Sequence, residues 1–263
     1  MRLQIQGAGS NQFTMQQGVL DGLLVSFKAT TVTDITAAVM QSVNITVTLQ
    51  SSSGNETILS GNLFALGVAN NPSSYEGLAI GLYKSFDVKF GGFIQVKDGD
   101  NLQVSVSVGT AVTGGVVTVT SADGVGIEEY TPKVIVFSVD KTRSNYAITP
   151  GNNISKVGFV NTTTDFTLTS IDFSSNYFNT NLLVDDFYAL MAAEWERTPE
   201  NYSFTFFNGG PVDNMNINLN VNTSATSNGY IVAYTGIVTP RTRERTAKAV
   251  TKLAAQAEAK FGV

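Results

Sequence analysis

Between Asp100 and Val108 the chain alternates apolar and small polar side chains behind an Asp-Asn pair, as Asp100-Asn101-Leu102-Gln103-Val104-Ser105-Val106-Ser107-Val108. It does so again from Asp213 to Val221, as Asp213-Asn214-Met215-Asn216-Ile217-Asn218-Leu219-Asn220-Val221. A period of two sends one row of side chains into a core and the other toward solvent, so each copy predicts a half-buried strand after a turn. A second strand-like run follows each copy, over residues 115–120 and 229–235. The same two strands thus close two successive β domains of about 110 to 120 residues, a usual size for one small domain.

The rest of the pattern fits that plan. In the first half, apolar and β-branched runs predict further strands over 3–6, 12–16, 23–29, 43–50, 85–90 and 93–96, separated by Gly, Asn, Asp and Ser clusters. Residues 62–69 read as a short helix that Gly67 weakens. The second half predicts strands over 134–139, 146–148, 154–160, 166–173 and 202–207. One longer helix is predicted over 183–196. Leu183, Phe187, Leu190, Met191 and Trp195 form its apolar stripe. Thr180 or Asn181 would cap it, Asp185 and Asp186 would complement its positive end, and Arg197 and Pro199 would close it. The Asp pair reads as dipole complement, not as a catalytic pair.

About eight short strands per half, with long helix-bearing connections, favour a jelly roll over an immunoglobulin-like sandwich. The expected fold is all-β, two tandem eight-stranded jelly rolls. The small-residue stretch 121–126 divides them, giving domains at 1–126 and 127–240 and a basic segment at 241–263.

Composition narrows the chemistry. There is no His and no Cys, which removes triads built on an imidazole base, disulfides, and zinc sites of His or thiolate ligands. Charged residues are only 14% of the chain, which suits β surfaces covered by neighbours. Residues 1–6 turn polar at once and resemble no secretory signal, and no stretch is apolar enough to span a bilayer as a helix. The Asn-X-Ser/Thr sites follow from an Asn- and Thr-rich composition.

Three constellations invite a functional reading and do not sustain it. Asp98-Gly99-Asp100-Asn101 looks like a calcium loop but lacks the spaced acids and final Glu of one, so a tight turn is expected. Gly7-Ala8-Gly9-Ser10-Asn11-Gln12 has no phosphate-binding Lys opening a helix behind it. Glu128-Glu129 and Asp185-Asp186 are adjacent pairs, whereas glycosidase carboxylates usually come from separate elements. No catalytic residue, metal ligand or cofactor is nominated.

The tail is different. Arg241, Arg243, Arg245, Lys248, Lys252 and Lys260 outnumber Glu244 and Glu258 by four, so the body carries −9 of a total of −5. Val250, Leu253, Ala254, Ala257 and Phe261 make a narrow apolar stripe beside these bases. Two readings stand: a terminal helix packed on its own subunit, or a basic arm meeting anionic lipid headgroups or nucleic acid, mainly through charge.

The order of elements resembles the double jelly-roll major capsid proteins of membrane-containing icosahedral bacteriophages, the corticoviruses and tectiviruses. The resemblance covers most of residues 10–238, and in the second half a helix leads to the aromatic strand Asn201-Tyr202-Ser203-Phe204-Thr205-Phe206-Phe207, a loop, and two closing strands. In the first half, 43–49 followed by 59–69 fits the matching strand and helix. The resemblance implies a structural virion protein without catalysis or small-molecule substrate. It implies a homotrimer whose six rolls form a pseudo-hexagonal tile around an internal membrane. Neighbouring trimers and penton or minor capsid proteins would be its partners, with assembly in the host cytoplasm. The alternative is a carbohydrate- or receptor-binding β module, as in a spike or adhesin. The single Trp, Trp195, falls on a predicted core stripe, which argues against it.

Overall fold

Period-two alternation is realised as buried and exposed rows wherever it is clearest. On the strand Asn101–Val108, Leu102, Val104, Val106 and Val108 are buried, and on Met215–Val221 so are Met215, Ile217, Leu219 and Val221. The computed structural model of the chain describes residues 1–70, 78–80, 82–124, 131–161, 165–186, 189 and 203–236.

The first half contributes β1 (Arg2–Gln6), β2 (Gly9–Met15), β3 (Gly18–Lys28), α1 (Ala37–Gln41), β4 (Val43–Ser51), β5 (Gly54–Asn62), α2 (Leu63–Asn70), β6 (Leu78–Ile80), β7 (Tyr83–Val96), β8 (Asn101–Val108) and β9 (Val116–Asp123). The second contributes β10 (Lys133–Val139), β11 (Asn145–Gly151), β12 (Ile154–Asn161), β13 (Leu168–Ser174), β14 (Asn179–Leu183), β15 (Ser203–Val212), β16 (Met215–Val221) and β17 (Gly229–Thr235). One wiring diagram serves both halves. The first has a sheet ordered β1-β9-β3-β7-β6 opposite the strands β5-β4-β8-β2. The second has β10-β17-β12-β15 opposite β14-β13-β16-β11. Each order maps onto the other strand for strand, with β6 as an addition to the first. This is a double jelly roll, and the sequence repeat falls on β8–β9 and β16–β17.

The rolls share a sheet. β10 lies parallel to β5, with Val134 opposite Leu59 and Ile135 opposite Ser60, which makes one eight-stranded sheet of the order β15-β12-β17-β10-β5-β4-β8-β2. β17 is therefore buried on both faces. Ile231 and Ala233 join the second roll's core, while Tyr230, Val232 and Tyr234 join the cluster that fills the first. That explains why Gly229-Tyr230-Ile231-Val232-Ala233-Tyr234-Thr235 is apolar almost throughout, as a strand covered on both sides must be.

Helix α2 is the wedge in this joint. Asn62 Oδ1 accepts the Ala65 N–H at 2.8 Å and caps its first turn. Leu63, Phe64, Ala65, Leu66 and Val68 are all fully buried, as expected of a helix with no polar face. A Cβ on Gly67 would stand 2.7 Å from Phe86 Cδ1, so the glycine that costs helix propensity is required by packing.

Several expected elements differ. The predicted strands 85–90 and 93–96 are one strand, β7. At Gly91, φ +83°, the strand bulges past Tyr234, its register on β3 stepping from Leu20–Ile94 to Gly22–Lys89, and a Cβ there would stand 3.1 Å from Tyr234 Cδ1. Thr180 and Asn181 are not helix caps, because they pair with Phe173 and Asp172 in the β13–β14 ladder. The helical turn starts after them, at Val184–Asp186, where Asp186 Oδ2 accepts the Leu183 N–H at 2.7 Å. A carboxylate at the third helical position reaching back to the cap N–H is half of a capping box. Leu183 is 55% exposed and so is not part of a buried stripe. Phe187, Leu190, Met191, Trp195, Arg197 and Pro199 lie outside the described residues.

Candidate assembly surface

The joint between the rolls is mostly apolar. Phe64 and Tyr230 place their ring centres 6.5 Å apart. Burial pushes the Tyr230 hydroxyl above its ordinary pKa, and a hydrogen bond with Asn62 partly offsets this. Lys156 reaches over the Tyr234 ring at 5.2 Å and donates to the Ala69 carbonyl at 3.4 Å. At the rim, Lys133 on β10 meets Glu56 on β5 at 2.7 Å, both about two-fifths exposed. A pair so exposed is worth little, and burial carries the joint.

The outward rows of β2, β4 and β8 consist of hydroxyls and amides. Gln103 donates to Gln12 Oε1 at 2.9 Å and accepts from Gln50 at 3.3 Å, a ladder of side-chain amides running across three strands. Beside it, Ser10, Gln12, Asn44, Thr46, Ser105 and Ser107 line a shallow polar recess of about 440 Å³. On the second roll the outward row of β16 is Asn216, Asn218 and Asn220, with Asn220 donating to Ser170 Oγ at 2.8 Å. Neutral polar groups are far cheaper to desolvate than ions, so such faces cost little to cover. Apart from Glu56 on β5, the charged side chains on the first roll's strands sit on its other sheet. There Lys89 bridges Asp21 at 3.0 Å and Asp87 at 3.2 Å. Burial works against its charge, but the two carboxylates outweigh it and hold the ammonium above its ordinary pKa.

Taken whole, this arrangement has close counterparts among solved structures. A chain of the structure of Sulfolobus turreted icosahedral virus matches with a TM-score of 0.61 at 12% identity, covering 99% of this chain and 95% of that one. A crystal structure of the major capsid protein of the same virus gives 0.56 at 13% identity over 89% of this chain and 96% of that chain. The major capsid protein P2 of bacteriophage PM2 gives 0.55 at 11% identity over 91% and 99%. The shared feature is the fold. No family model matches the sequence, and no curated protein does either.

The six bases Arg241, Arg243, Arg245, Lys248, Lys252 and Lys260 lie outside the described residues, as do Glu128 and Glu129. Asp98 and Asp100 flank a tight turn in which Gly99 adopts φ +86° and the Asp100 N–H donates to the Lys97 carbonyl at 3.0 Å. Among the described residues no three acidic groups converge as metal ligands would. The features that sequence reasoning missed are the helix α1, the strands β5, β6 and β14, and the parallel β5–β10 pair. A long-range parallel pair leaves no local mark, and the short Asn-Thr-Asn-Leu-Leu of β14 has no alternation to betray it.

Proposed function

We propose that this chain is a structural capsid protein, a major building block of an icosahedral virion with no catalytic role. The observation that carries the reading is the match of a two-roll chain, over about nine-tenths of its length, with two viral major capsid proteins covered almost entirely. The lack of His and Cys and the neutral outward faces of β8 and β16 support it. In this reading the rolls span 1–126 and 127–240, and three copies form a six-roll tile. Tiles then meet one another and penton or minor capsid proteins around an internal membrane, with assembly in the host cytoplasm. The basic segment 241–263 faces anionic lipid headgroups or packaged nucleic acid. Electron micrographs of particles from the source material test this, with peptide mass spectrometry of the particle band. This chain is expected as an abundant protein of icosahedral particles, and particles that lack it would contradict the reading.

A further inference from the structure

The joint between the two rolls uses one sheet edge of each and leaves the complementary edge of each unused. β5 and β10 are the joined edges. Under the internal repeat their counterparts are β14 in the second roll and β1 in the first. β14 ends the order β11-β16-β13-β14, and β1 ends the order β1-β9-β3-β7-β6. Among the described residues β14 pairs only with β13 and β1 only with β9, though on the outer side of β1 the Asn11 side chain donates to the Gln4 carbonyl at 3.2 Å and would have to give way. An unpaired edge presents a row of N–H and C=O groups to which another chain can add a strand.

We propose that β14 of one copy pairs in parallel with β1 of the next, repeating between chains the β5–β10 junction found within one. The inference rests on the capsid reading, which supplies the second copy. Leu183, 55% exposed at the end of β14, would gain cover from a neighbour. The contact is head to tail, and such a contact either closes into a ring or runs on as a filament. Three copies of two rolls would close a ring of six.

The internal junction also indicates which side chains would meet. Core-facing Leu59 lies opposite Val134, whose side chain points away from its own roll's core and into the first. Correspondingly, Thr180 and Leu182, the half-buried positions of β14, would share a face with exposed Gln4 of β1.

The chain contains no cysteine, so introduced pairs report without background. The full-length double variant Gln4→Cys, Thr180→Cys, treated with a short bismaleimide, is expected to run on denaturing gels as linked species of two and three chains. Each single variant is expected to stay at one chain. Gln4→Cys with Leu182→Cys covers a register shifted by two residues. Native mass spectrometry before linking separates the two levels of inference. Trimers that link in neither double variant overturn the β14–β1 pairing and leave the capsid reading standing. Linkage in a single variant means that like residues meet across a two-fold axis, and also overturns the pairing. Monomers alone overturn both.

Discussion

Leu59 and Val134 face each other across a parallel strand pair although they belong to different jelly rolls. Both side chains enter the same hydrophobic cluster, so the joint is a continuation of the first roll's core and not a surface contact. The rolls should therefore behave as one block. Helix α2 sits over this joint, and two side-chain changes test its role there.

Gly67→Ala sets two effects against each other. Alanine favours a helix by about 1 kcal/mol over glycine. The added Cβ would stand 2.7 Å from Phe86 Cδ1, and overpacking of a full core costs about 1–3 kcal/mol. The expected outcome is a lower urea midpoint with an unchanged slope. A higher midpoint would mean that Phe86 yields freely and that the packing account of Gly67 is wrong.

Phe64→Ala removes a fully buried ring that packs against Tyr230 across the joint. Truncations of this kind cost about 3–5 kcal/mol. Because the cluster includes residues of both rolls, the loss should appear in a single unfolding transition. A wild-type midpoint would show that α2 does not wedge the rolls together.

Deleting residues 241–263 removes an excess of four positive charges lying beyond β17. The body is expected to fold and assemble as before, while co-sedimentation with anionic vesicles or nucleic acid falls. Binding by the full chain should weaken steeply as salt rises, because exposed charge contacts are screened. Equal binding by both forms would leave a terminal helix packed on its own subunit as the better account.

Much of the fold was legible where one face of a strand is buried and the other wet. β8 and β16 announce themselves because their rows alternate without exception, and their repetition gave the two-roll plan. Strands covered on both faces, or barely covered on either, were harder. Thr180 and Asn181 are residue types that cap helices and also fill outward strand positions, and only the ladder with β13 decides between these uses. Gly91-Gly92 reads as a break in sequence but is a passage past Tyr234 inside one strand. The first residues of β5, Gly54-Asn55-Glu56, are polar and gave no apolar signal. The candidate surface was less legible still, because a neutral amide row is unremarkable in sequence and gains meaning only when neighbouring strands set Gln12, Gln103 and Gln50 side by side.

The most direct measurement of the central claim is the native mass of the full-length protein at micromolar concentration. A capsid building block of this fold should fly as a trimer of the 28.0 kDa chain, with little monomer. Among the described residues its two-roll body presents neutral lateral faces and ends two of its sheets in the strands β1 and β14. A clean 28.0 kDa monomer under the same conditions would contradict the account.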